Sequence, residues 1–249
     1  MKLSDRDIAH LRKQHWGRNR IVIDEITRDG FQCHLDSVPY SGGAFKLSDR
    51  HIRCIDGRVS GGGVRLAGSG IYLGLEGAKQ FAEAAEATGV TYHRDCGAVA
   101  RYAQEQAVAP DDAQRCGHEA AQALADALGL PCQEARLDRP AGFHDELVIY
   151  YDGTGRFDPD GCHFLPHGFV ISRAYLDFHV QYAVWEVQLA ISLALGESGF
   201  GDLFTPEKPL VIVAVAETPE QANALHGEIA SVPAAYAGRV VIDGMLADA

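Results

Sequence analysis

The sequence predicts an α/β protein with a mostly parallel sheet flanked by helices. Two observations carry that expectation. Strand-like runs alternate with helix-like runs along the chain, and "ELVIYYDGTGRF" (146–157) and "PLVIVAVA" (209–216) are its most strand-like stretches. At 249 residues, with 47% hydrophobic and 22% charged residues, the chain can bury a substantial core. It reads as a single α/β domain spanning residues 1–249. Within it, residues 1–49 are an N-terminal helical arm and lead-in, 50–160 a core that carries the Cys/His motifs, and 161–249 a C-terminal α/β extension.

Taken in order, residues 4–16 read as a polar amphipathic helix, the arm. "RIVIDEI" (20–26) is a short apolar run that suits a strand or a helix. "SGGAFKLSDR" is loop, and "HIRCIDGRVSGGGVRLAGSGIYLG" sets two extended pieces around a glycine cluster. Residues 75–88 have helical periodicity and strong helix formers, stopped by Gly89. "VTYH" is a short strand, and a helix starts at about Gly97. Residues 112–128 form the next helix, with two aspartates near its start, where the helix dipole favours acid. Residues 146–157 are a strand running into a glycine turn, and 173–195 a long, largely buried helix. After "PLVIVAVA" come a helix over 218–230 and a strand in "RVVIDG" (239–244), and these two strands extend the sheet of residues 50–157 or form a second α/β unit packed on it. Functional sites in such an arrangement lie at the carboxyl ends of strands. No internal repeat is visible.

Net charge is −12 and no stretch is rich in Lys or Arg, which argues against nucleic acid or an anionic membrane as the main partner. The first twenty residues lack an apolar signal core, and no stretch approaches a membrane span; a cytoplasmic protein is expected. Six cysteines occur, at 33, 54, 96, 116, 132 and 162. Without an export signal, metal binding, catalysis or burial is the expectation for them, rather than a disulfide framework.

"GVTYHRDCGAVARYAQEQ" (89–106) ends a strand in His-x-x-Cys at the mouth of a helix. Alone, such a pair is more often a turn histidine beside a buried thiol. "CIDGR" (54–58) supplies the third ligand: Cys54, His93 and Cys96 make a Cys₂His set, which suits zinc and leaves a fourth position for water or substrate. Asp56 and Arg58, two apart in an extended segment, point the same way. Arg58 can then hold the Asp56 carboxylate ionised as an acceptor, or the two can be a plain loop-anchoring salt bridge.

These motifs resemble the β-class carbonic anhydrases, whose signature runs Cys-x-Asp-x-Arg, then Arg-x-Ala-Gly, then His-x-x-Cys-Gly entering a helix. Here "CIDGR", "RLAGSG" (65–70) and "HRDCGA" (93–98) follow in that order, and "YYDGTGRF" is similar to the family's late edge strand and its glycine turn. The resemblance covers roughly residues 50–157. It implies Zn²⁺ on Cys54, His93 and Cys96, with Asp56 and Arg58 as the catalytic dyad. It also implies hydration of CO₂ to bicarbonate by zinc-bound hydroxide, in a homodimer or higher homo-oligomer whose helical arm reaches over the neighbour. A hydrolase of carbonyl sulfide or carbon disulfide would use the same apparatus, and a zinc-binding scaffold without turnover is the non-enzyme alternative.

Other stretches carry weaker signals. "SGGGVRLAGSG" lacks the Gly-Lys-Ser/Thr ending of a phosphate loop and reads as flexible backbone near the metal. "CGH" (116–118), "GCHFLPHGF" (161–169) and Cys33-His34 each lack a third partner nearby in sequence. Cys132 is expected to be buried, and "AYLDFHVQYAVWEV" (174–187) to be core or subunit interface.

Overall fold

Helix α1 (Asp5–Asp29) joins the amphipathic arm and the ambiguous "RIVIDEI" into one 25-residue helix. The run is helical because Trp16, Arg20, Ile23 and Ile26 fall on a single buried stripe. Arg20 closes that stripe by donating to the Pro209 carbonyl at 2.7 Å, while its guanidinium lies over the Trp16 ring. Arg12 donates to the Glu197 carbonyl. The arm is therefore docked along its own chain. Gly30, at φ 91°, breaks the helix before α2 (Phe31–Ser37). The computed structural model describes residues 5–39, 41–138 and 143–247.

Two parallel four-stranded sheets follow, each flanked by helices. The first uses β1 (His51–Arg53), β2 (Val64–Arg65), α3 (Gly74–Ala84), β3 (Gly89–Tyr92), α4 (Gly97–Glu105), α5 (Ala113–Leu128) and β4 (Cys132–Glu134), in the order β2-β1-β3-β4. The second uses β5 (Val148–Asp152), β6 (Phe169–Ile171), α6 (Val180–Leu195), β7 (Leu210–Ala216), α7 (Pro219–Ile229) and β8 (Val240–Leu246), in the order β6-β5-β7-β8. Both sheets thus have the same strand order, a repetition that the sequence does not display. Every residue of β5 and β7 is buried, as expected of strands covered on both faces.

The α/β class holds, and β7 and β8 lie in a second α/β unit, one of the two arrangements expected for them. Three expectations need correction. β5 is not a late edge strand of the metal-binding core; it lies between β6 and β7, central in the second sheet. Cys132 is half-buried, because β4 is an outer strand with its following residues exposed. The helix expected over 173–195 starts only at Val180, after two 3₁₀ turns, where the His179 ring accepts the Tyr182 N–H at 3.3 Å. Among the described residues, no helix is long and apolar enough to cross a membrane.

The two sheets meet where the site is built. The Val170 N–H donates to the Ile55 carbonyl at 3.0 Å, and the Ser172 N–H to the Arg65 carbonyl at 3.3 Å. Ser172 Oγ accepts the Arg65 N–H at 2.8 Å. The loop that follows β1 is therefore clamped by β6 of the second half.

Candidate metal centre

β1 and β3 are parallel neighbours in the register Ile52↔Val90, so the residues that leave their carboxyl ends converge. Those residues are Cys54 and His93. Cys96 occupies the N-cap position of α4, where the helix dipole favours a thiolate. The Cys54 and Cys96 sulfurs are 3.5 Å apart, and each of the three side chains is buried. His93 donates its Nδ1–H to the Arg94 carbonyl at 2.8 Å, which leaves Nε2 buried without a hydrogen-bond partner. The ligand atoms of Cys54, His93 and Cys96 lie within 4.8 Å of one another. The Cys96 sulfur, then burial, push the Cys54 thiol far above its ordinary pKa. Burial and the neighbouring sulfur thus disfavour a free thiolate, and a bound cation is what would let both cysteines ionise. A soft Cys₂His set with one orphaned imidazole nitrogen fits zinc, and the triad can hold a metal ion.

Arg65 holds the loop that presents Cys54. Its buried guanidinium donates to the carbonyls of Cys54 at 3.2 Å, Val59 at 3.2 Å and Gly61 at 2.8 Å. That explains an arginine at the head of "RLAG": loop carbonyls buried away from water need donors, and one planar cation supplies several.

Asp56 and Arg58 pair as their spacing suggests. Asp56 Oδ1 accepts from Arg58 Nε at 3.0 Å and from the Arg58 backbone N–H at 2.9 Å, while Oδ2 accepts Nη2 at 2.7 Å. Arg58 Nη1 reaches the Phe143 carbonyl at 3.2 Å. Burial alone would raise the Asp56 pKa. His144 and the Arg58 guanidinium outweigh it and hold the carboxyl far below its ordinary value. Asp56 Oδ2 stands 4.0 Å from His93 Nε2, beside the ligand triad. A cavity of about 970 Å³ opens on the same place, lined by Arg58, His93, Cys96, Gly97, Phe143 and His144 among others.

The sequence reading missed His144 and Glu146, which enter from the segment ahead of β5. His144 Nδ1 is 3.7 Å from Asp56 Oδ2 and 3.6 Å from Glu146 Oε2, and the three side chains form a second buried group of possible ligands. It also missed Glu186 on α6, whose Oε1 accepts the Ala67 N–H at 2.6 Å. "HDE" just before an apolar strand was the available signal for the first two, but nothing local ties it to "CIDGR" some ninety residues earlier.

The remaining candidates resolve as ordinary residues. His118 stacks on Tyr92 at 4.3 Å, His34 pairs with the Phe164 carbonyl, and Tyr182 stacks on Trp185. In the second sheet, β5 and β7 run on into Gly153 and Glu217, with neither cysteine nor histidine at the positions that carry Cys54 and His93 in the first. Among the described residues, the cysteine-bearing group is confined to the first half. No protein-family model, curated protein or solved structure matches this chain.

Proposed function

We propose that this chain is a zinc-dependent, carbonic anhydrase-like enzyme that converts CO₂ to bicarbonate. One observation carries the reading: a buried Cys₂His triad with an Asp–Arg pair beside it, on a cavity lined by Arg58, His93 and Cys96. Zinc held by Cys54, His93 and Cys96 would act as a Lewis acid and make water a nucleophile near neutral pH. The protein's own contribution is orientation. Asp56, kept ionised by Arg58, is an acceptor only, so an oxygen nucleophile beside it must aim its hydrogen at Oδ2 and its lone pair elsewhere. Arg58 cannot give up its proton and so never competes for that role. Phe143 and Val99 give the cavity apolar wall, suited to an uncharged, weakly hydrated substrate.

A cavity of about 970 Å³ admits carbonyl sulfide and carbon disulfide as readily as CO₂, so their hydrolysis at the same site is the second reading. Stopped-flow CO₂ hydration with zinc-loaded protein, run beside hydrolysis of both sulfur compounds, tests the reading. Turnover of CO₂ is the expected result. Bound zinc with no turnover of any of the three would reduce the site to a structural metal.

A further inference from the structure

His144 and Glu146 belong to the half of the chain that supplies no cysteine ligand, yet they reach Asp56. Glu146 is 0% exposed, and neither of its carboxylate oxygens has a hydrogen-bond partner; His144 is 3% exposed, and its Nδ1 also lacks one. Two carboxylates this close and out of water need positive charge or a shared proton. Arg58 supplies one charge but is committed to Asp56 through Nε and Nη2. His144 is placed to supply the second, with Nδ1 between Asp56 Oδ2 and Glu146 Oε2. Burial disfavours the imidazolium, but Asp56 and Glu146 outweigh it, and the His144 pKa lies above its ordinary value. Arg58 opposes this from the other side of Asp56, and Asp145 is paired with His15 of α1 at 3.2 Å. Gly97, directly after Cys96, makes room for the ring: a Cβ there would stand 2.5 Å from His144 Nε2.

We propose that His144, anchored by Glu146, is a positioning residue for Asp56. Oδ2, the Asp56 oxygen nearest His93, accepts from Arg58 Nη2 at 2.7 Å and has His144 Nδ1 at ion-pair distance, 3.7 Å. With both in place the carboxylate is held as an acceptor beside the triad. With His144 removed, one guanidinium alone would hold it, and Oδ2 would be freer to turn toward a cation on Cys54, His93 and Cys96. The inference rests on the metal-centre reading above but not on the identity of the substrate.

The test uses Co²⁺ in place of zinc, because its visible spectrum reports what coordinates it. His144→Ala and His144→Asn are compared with wild type across a pH series; the asparagine amide puts a donor where Nδ1 stands. The alanine variant is expected to keep one metal per chain but to show a changed spectrum that reverts only partly as pH rises, and a CO₂ hydration rate lower by on the order of tenfold near neutral pH. His144→Asn, which keeps a donor but not the charge, is expected to restore both in part. A wild-type spectrum in His144→Ala, or an asparagine variant as altered as alanine, would overturn the proposal. Should His144→Ala not fold, ¹⁵N NMR of the wild-type imidazole decides instead: Nδ1 must carry a proton at neutral pH, and a bare Nδ1 refutes the assignment. A second metal equivalent, present in wild type and lost in Glu146→Gln, would also refute it. If wild type hydrates no CO₂, the function reading fails while the cobalt spectra still decide this one.

Discussion

Gly57 and Gly168 approach so closely that a side chain on Gly57 would strike the Gly168 backbone. A Cβ at Gly57 would lie 2.9 Å from the Gly168 carbonyl carbon, with the oxygen nearer still. This contact sets the distance between the loop that follows Cys54 and the second sheet. Gly57→Ala should destabilise the protein by about 2–3 kcal/mol, because the obstacle is backbone and cannot rotate away. Gly42→Ala, with nothing within 4 Å, is the control. Urea unfolding of the two variants checks this; equal midpoints would mean that the loop is not clamped there.

Arg65 offers a second handle on the same loop. Arg65→Met keeps much of the stem but leaves the carbonyls of Cys54, Val59 and Gly61 without the guanidinium. The expected loss is on the order of 2–4 kcal/mol, with faster release of zinc to a chelator. Unchanged release would show that Cys54 is positioned without Arg65.

Glu186 predicts a pH dependence. Burial pushes its carboxyl up to about 8, against the Ala67 N–H that favours the charged form. A raised carboxyl contributes stability that is complete below the unfolded value and is lost as pH climbs to the folded one. Relative to Glu186→Gln, wild type should therefore lose stability between about pH 4.5 and about pH 8, and change no further above that window. Denaturation curves of both proteins across the window measure the difference. Parallel pH profiles would show that Glu186 ionises as an ordinary carboxyl.

The ligand triad and the Asp56–Arg58 pair were legible in the sequence because each sits in a short motif whose spacing fixes local geometry. The strand-to-helix turn at "HRDCG" leaves few ways to place His93 and Cys96. The α/β class was legible from "PLVIVAVA" and its neighbours. The membership of β5 in the second sheet was not, since it depends on which strands β5 pairs with, and pairing is a long-range choice. "RIVIDEI" stayed ambiguous because a short apolar run suits both periodicities; only the burial of Trp16 and Ile23 on one face decides it. His144, Glu146 and Glu186 were invisible for a related reason. Their partners Asp56 and Ala67 come from the other half of the chain, and no local pattern records that contact.

Asp56→Asn and Arg58→Ala separate a catalyst from a scaffold. Both should keep zinc, since neither side chain belongs to the triad. Asp56→Asn should lower CO₂ hydration by about 10²-fold or more, because an amide can donate to the lone pair that must attack. Arg58→Ala frees Asp56 to occupy the metal, and its activity should recover partly as pH rises. Wild-type rates in both variants would leave the pair a loop-anchoring salt bridge.

The central claim is that Cys54, His93 and Cys96 hold one zinc ion. Zinc per chain, measured by metal analysis of purified Cys96→Ser beside wild type and Cys132→Ser, tests it most directly. The account predicts one zinc in wild type and in Cys132→Ser, and little in Cys96→Ser. Full zinc occupancy in Cys96→Ser would contradict it.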